Sequence, residues 1–112
     1  MNISAVIIVK NGAITISNTL DALSTFNDVV VYDNGSVDGT QDICKQYQNV
    51  NLIQGDFLGF GPTKNKAASY AKNDWIIIID SDEVIDNELL NTLKTKQLDK
   101  NKVYILNFHA YY

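Results

Sequence analysis

Trp75-Ile-Ile-Ile-Ile-Asp80-Ser-Asp82-Glu83 is the stretch that decides how this chain is read. Four consecutive isoleucines have no polar face, which suits a central strand of a parallel sheet buried on both sides. The run then ends in three carboxylates within four residues. Carboxylates crowded at the mouth of a buried strand repel one another and lose hydration, so folding alone gives little reason to place them there. A divalent cation gives a reason: Mg2+ and Mn2+ take hard oxygen ligands and commonly bind through one or two carboxylates plus substrate phosphates. A solvated turn is the plainer reading, and the apolar strand feeding it makes it the weaker one.

Outward from this strand, strand-like and helix-like segments alternate. A strand over 3–9 leads to a helix near 14–25, with Ile16, Leu20 and Leu23 at helical spacing. The β-branched run Val29-Val-Val-Tyr-Asp33 predicts a second strand, followed by turn chemistry at Asn34-Gly35-Ser36. Asp38 can cap a helix over roughly 39–48. A short strand at 50–53 precedes the glycine-rich loop Gly55–Gly61, and Pro62 suits the first position of a helix reaching about 72. A helix near 87–97, capped by Asp86, and a strand over 103–108 complete the pattern. Such alternation predicts an α/β fold: a mostly parallel sheet in a three-layer α/β/α arrangement, forming one domain over 1–112. The last strand-like run passes directly to Tyr111-Tyr112 with no closing helix, as in a half-domain or a chain cut short.

Composition narrows the function classes. With 112 residues, 46% hydrophobic and 20% charged, the chain can bury a single core. A net charge of −4 argues against a nucleic-acid surface, which needs clustered Lys and Arg. The gathering of Lys94, Lys96, Lys100 and Lys102 reads as a solvated helix end. No apolar run approaches the ~20 residues of a membrane span, and no signal-peptide pattern precedes Ile3. The single cysteine, Cys44, fits a reducing compartment and a core position, so a cytoplasmic protein is expected.

In an open α/β sheet, ligands bind beyond the carboxyl ends of the strands where strand order reverses. Lys10 and Asn11 follow the first strand, Asp33 ends the second, and Asp80 and Asp82 follow the fourth. They converge if the first strand lies between the second and fourth. Lys64 and Asn65 begin a helix whose amino end favours phosphate. The spacing of Gly55, Gly59 and Gly61 matches neither a P-loop nor a dinucleotide fingerprint. His109 has no metal-ligating company, so a zinc site is not expected.

Taken together, Ile3–Asn11, Val29–Thr40, Lys64-Asn65-Lys66-Ala67 and Asp80-Ser81-Asp82 resemble the nucleotide-binding half of family 2 glycosyltransferases, which have the GT-A fold. The loop Gly55–Asn65 looks like the branch that includes lipopolysaccharide-core β-1,4-glucosyltransferases. The resemblance implies a UDP-sugar donor and a glycan or lipopolysaccharide acceptor, with inversion at the anomeric carbon and Mg2+ or Mn2+ as cofactor. By resemblance, Val9, Lys10 and Asn11 frame the base and ribose, and Asp33 accepts the N3–H of uracil. Asp80 contacts the ribose or a metal-bound water, with Ser81 beside it, and Asp82 ligates the metal with Asp80. Lys64 stands near the leaving diphosphate.

One residue departs from the family: Gly12 follows Asn11, where an acid is common. Glu83, Asp86 and Glu88 lie too close to the metal motif to match the family's general base, which is expected beyond Tyr112, so this polypeptide by itself is expected to be inactive. The enzyme reading implies peripheral membrane association of a longer protein and self-association of this one. A stand-alone nucleotide-sugar-binding module is the alternative. A receiver domain or a nucleotidyltransferase fits less well, because Lys10 and Asn11 replace the acids or glycine-rich loop those folds carry after the first strand.

Overall fold

The computed structural model describes residues 3–82 and the backbone of 104–107. Eight elements follow one another: β1 (Ile3–Val9), α1 (Ile16–Asp21), β2 (Asp28–Asp33), α2 (Thr40–Cys44), β3 (Val50–Gln54), α3 (Phe60–Ala68), β4 (Trp75–Asp80) and β5 (Tyr104–Asn107). The strands form one sheet in the order β3-β2-β1-β4-β5. Every pairing is parallel. Strand order therefore reverses around β1, as expected, and the carboxyl ends of β2 and β4 flank that of β1.

Side chains alternate across the sheet and build two cores. Ile3, Ala5, Ile7 and Val9 of β1 join Val29, Val31, Trp75, Ile77 and Ile79 on one face, against Ile16, Leu20 and Leu23 from the α1 segment and Cys44 of α2. Val6, Val30, Tyr32, Ile76 and Ile78 occupy the other face against Ala67 of α3. The isoleucines are thus divided between two layers, which is why the run needs no polar face. Burial raises the Cys44 thiol to about 11, as suits a core side chain.

The helices are shorter than their patterns predict. After Asp21 the chain tightens into i→i+3 bonds, Leu23 N–H to Leu20 O and Ser24 N–H to Asp21 O, so the apolar spacing continues through turns. Asp38 is not the N-cap of α2. That position is Gly39, in the left-handed region at φ 93°, and Asp38 accepts the Thr40 N–H from one residue further out. Pro62 falls at the third residue of α3, still within the turn whose N–H groups have no intrahelical partner. The segments expected as a helix near 87–97 and its Asp86 cap lie outside the described residues.

At the amino edge of the sheet, buried Asp28 accepts the Ser4 hydroxyl at 2.6 Å and the Lys72 N–H at 2.7 Å. Asn73 donates to Ser4 Oγ in turn, from its N–H at 3.2 Å and its amide at 3.1 Å. This cluster fixes the turn that enters β4. At the carboxyl edge, Tyr32 Oη donates to Asp56 O at 3.0 Å and pins the loop after β3. Gly55 permits that contact: a Cβ there would lie 2.6 Å from Tyr32 Cζ. Tyr32 is fully buried and has no room to retreat. Gly55→Ala should therefore destabilise the chain by ~1–3 kcal/mol, seen as a lower urea midpoint with an unchanged m-value.

Candidate active site at the carboxyl edge

Register decides which carboxylate faces which layer. Val9 pairs with Asp33 and Ile8 with Asp80. Partners across a sheet share a face, so Asp33 belongs to the α1/α2 side and Asp80 to the α3 side. The ladder continues one step beyond β2, where Asn34 N–H donates to Val9 O at 2.9 Å, and alternation places Asn34 on the side of Asp80. Lys64, half-buried on α3, belongs to that same side.

Asp33 has no exposed surface and is heavily engaged. Its Oδ2 accepts the Gly35 N–H at 3.1 Å, the Ser36 N–H at 2.9 Å and the Gln41 amide at 2.7 Å. Its Oδ1 accepts the Ser36 hydroxyl in a short bond. Burial pushes the carboxyl up, but the Ser36 hydroxyl and N–H, the Gln41 amide and the Gly35 N–H together outweigh it and hold Asp33 below its ordinary value. The carboxylate organises the turn after β2 from beneath.

A web of hydrogen bonds then ties that turn to the loop after β1. Asn11 N–H donates to Ser36 Oγ at 2.7 Å, and Val37 N–H donates to Asn11 Oδ1 at 2.8 Å. Gly12 N–H reaches Thr40 Oγ1 at 3.0 Å and Ala13 N–H reaches Asp38 Oδ2 at 3.0 Å. The Thr40 hydroxyl and the Ala13 N–H hold the exposed Asp38 carboxyl below its ordinary value. Asn11 adopts φ 55°, a left-handed conformation that asparagine tolerates better than most residues. Backbone in that region is often kept for function.

The residues expected from the sequence are thus partly brought together. Asp33, Asn11 and the backbone of Val9 meet in one hydrogen-bonded unit, while the Val9 side chain is buried in the core. Lys10 and Asn11 are exposed beside it. Asp80 and Ser81 are half-buried at the end of β4, and Asp82 is exposed. Glu83, Asp86 and Glu88 lie outside the described residues. Among the described residues no group of three or more His, Cys, Asp or Glu side chains could hold a metal. Asp80 and Asp82 nevertheless suit Mg2+ or Mn2+, which complete their shells with water and phosphate oxygens.

Gly12, the departure from the family pattern, is explained by packing. A Cβ there would lie 2.6 Å from Val9 Cγ2, and Val9 is buried and stiff. Sequence reading passed over Asn34, treating it as turn chemistry alone. Its Oδ1 is the one buried side-chain polar atom without a hydrogen-bond partner among the described residues. Buried acceptors of this kind are ordinarily met by protein or by ordered water, so Asn34 is marked out at this edge.

A sequence model of glycosyl transferase family 2 matches residues 4–112. The fold is that of the GT-A glycosyltransferases, and the chain belongs to glycosyl transferase family 2. An uncharacterized glycosyltransferase of Rickettsia felis is 37% identical over 93 residues, covering 82% of this chain and 32% of that protein. The poly(ribitol-phosphate) beta-glucosyltransferase of Bacillus spizizenii is 34% identical over 102 residues, covering 80% of this chain and 16% of its own. S. aureus TarS 1-349 in complex with UDP superposes with a TM-score of 0.73 at 28% identity, over 84% of this chain and 31% of that one. The chain therefore spans less than a third of these relatives' lengths. No helix among the described residues is long and apolar enough to cross a membrane.

Because the Asp33 carboxyl is lowered in the fold, its contribution is present above the unfolded value near 3.9 and is lost as pH falls through the folded value. Urea unfolding across pH should thus show stability falling below about pH 4. Asp33→Asn should cost about 1.5–3 kcal/mol at neutral pH and flatten that acid limb.

Proposed function

We propose that this chain is the donor-binding part of an inverting, metal-dependent glycosyltransferase that takes a UDP-sugar. The observation that carries the reading is the gathering of Asn34, Asp80 and Lys64 on one side of the sheet at its carboxyl edge, beside the exposed Asp82. The UDP-bound state of TarS supports uridine as the nucleoside. In this reading Asn34, rather than the fully engaged Asp33, accepts the uracil N3–H, and its amide NH2 faces a ring carbonyl. Asp33 acts from beneath, by holding the Asn34–Ser36 turn. Lys10 and Asn11 border the nucleoside.

Asp80 would lie toward the ribose, and Asp80 and Asp82 would together hold a divalent cation. When bound, Mg2+ or Mn2+ offsets the charge that builds on the departing diphosphate. Lys64 adds positive charge on the α3 side, where the amino end of the helix also favours phosphate. The acceptor hydroxyl attacks the anomeric carbon, its proton passes to an Asp or Glu base, and the C–O bond to UDP breaks as the new one forms. That base is assigned to an acceptor-binding half, to none of the described acids.

The relatives include a poly(ribitol-phosphate) beta-glucosyltransferase and a cholesterol galactosyltransferase. Acceptors so different over one shared segment support a segment that carries donor rather than acceptor recognition. A lipopolysaccharide-type glycan remains the acceptor class proposed here, and a cytoplasmic site with access to membrane-bound acceptors goes with it.

Calorimetric titration of UDP and UDP-glucose with and without Mn2+ tests the reading. UDP should bind more tightly with Mn2+ than in EDTA, and Asp82→Ala should remove that gain. Asn34→Leu should weaken UDP roughly tenfold or more with or without metal. UDP binding that is indifferent to metal and unchanged in Asp82→Ala would end the metal role. Unchanged binding in Asn34→Leu would return the base contact to Asp33.

A further inference from the structure

Two hydroxyls of the α1 segment converge on one carbonyl between the motif carboxylates. Thr15 Oγ1 donates to Ser81 O at 3.0 Å, and Thr19 Oγ1 donates to the same oxygen at 2.9 Å. A carbonyl oxygen offers two lone pairs, so both are taken. Thr15 does not do what its position would ordinarily have it do. Thr15 is the N-cap of α1 and makes no side-chain cap bond, forgoing roughly 1 kcal/mol of helix stabilisation. Thr19 Oγ1 also bonds back to Thr15 O at 3.4 Å, the longer of its two contacts, and lies closer to Ser81 O. Thr19 is buried, where a hydroxyl requires a partner.

Gly12 borders that approach. Its carbonyl accepts the N–H groups of both Thr15 and Ile16, at 3.1 and 2.9 Å, and so sets where the helix begins. A Cβ on Gly12 would also stand 3.6 Å from Ser81 Cβ. That is ordinary contact, so the loop after β1 packs on the turn after β4 while the tight fit at Gly12 is with Val9.

We propose that Thr15 and Thr19 are positioning residues for the donor diphosphate site, acting through the Ser81 peptide. That carbonyl belongs to the peptide plane joining Ser81 to Asp82. Fixing it fixes the orientation in which Asp82 leaves the strand relative to Asp80. Octahedral Mg2+ tolerates little error in its oxygen ligands, and a turn free to rotate would spread the two carboxylates over many separations. The clamp comes from the α1 side, opposite the α3 side on which Asn34 and Lys64 lie. The inference rests on the donor-site reading above.

The test compares Thr15→Val, Thr19→Val and the double variant with Thr15→Ser and Thr19→Ser. The readout is the ratio of UDP Kd in EDTA to UDP Kd in Mn2+, measured by calorimetry. Valine keeps the shape and loses the hydroxyl; serine keeps the hydroxyl. The double valine variant should lose the metal-linked gain by about tenfold or more, as partners behind metal ligands commonly do. Its metal-free affinity should stay within about twofold, because the nucleoside contacts are untouched. The serine variants should retain the gain.

A purely structural role would lower the urea midpoint and leave the ratio alone. Should Thr19→Val fail to fold, Thr15→Val, at a half-buried position, decides. Valine variants with an unchanged ratio overturn the proposal, as do serine variants that lose as much as valine. An unmodified chain that gains nothing from Mn2+ overturns the donor-site reading instead, and the proposal falls with it.

Discussion

Burial of β1 on both faces and along both edges is the constraint on which the rest depends. Its backbone is hydrogen-bonded to β2 on one side and β4 on the other, and its side chains feed both cores. Parallel strands buried in this way cannot slip by one residue without exchanging every side chain between layers. The same lock that keeps Ile7 and Val6 in their own cores opposes Asp33 to Val9 and Asp80 to Ile8. The chemistry at the carboxyl edge is thus aimed by hydrophobic packing several residues below it. The carboxylate turned toward α2 becomes a scaffold for the turn after β2, while Asp80 is turned toward the α3 layer.

Above the sheet the work passes from apolar contact to hydrogen bonding. The loops after β1, β2 and β4 are short of buried apolar surface, and they are held by bonds between loops rather than within them. Asn11 with Ser36 and Val37, Gly12 with Thr40, Ala13 with Asp38, and Thr15 and Thr19 with Ser81 form one connected set. Such a network polarises and rigidifies its members. It also explains why the exposed apolar side chains Ile14 and Val37 can sit on these loops without a core to hold them.

Much of the fold was legible because the strands are written in β-branched residues with sharp polar ends. The isoleucine run, Val29–Asp33 and Ile3–Val9 needed no tertiary information to be found. Helix ends were less so: Ile16, Leu20 and Leu23 keep helical spacing while the backbone after Asp21 has already turned. The site was half legible. Acids at strand ends announce themselves, but whether Asp33 meets a ligand or a turn depends on Gln41 and Ser36 and on which face the register gives it. Asn34 carries no signal beyond its place after Asp33, since an unmet oxygen is a property of the assembled structure. Thr15 and Thr19 were unreadable, their shared partner lying more than sixty residues away.

The pairing of Ile3 with Trp75 has a consequence for how the molecule is made. β1 is the earliest of the described strands to be synthesised, yet one of its edges waits for a partner some seventy residues later. Contacts of such long sequence separation form late and slow folding. Until β4 emerges, a β1–β2–β3 intermediate would present an apolar strand with an unsatisfied edge, the kind of surface that aggregates or recruits chaperones. On the ribosome, the strand that covers the open edge of β1 and the carboxylate pair Asp80 and Asp82 arrive together. A nascent chain whose β1 edge is still open has not yet made Asp80 and Asp82.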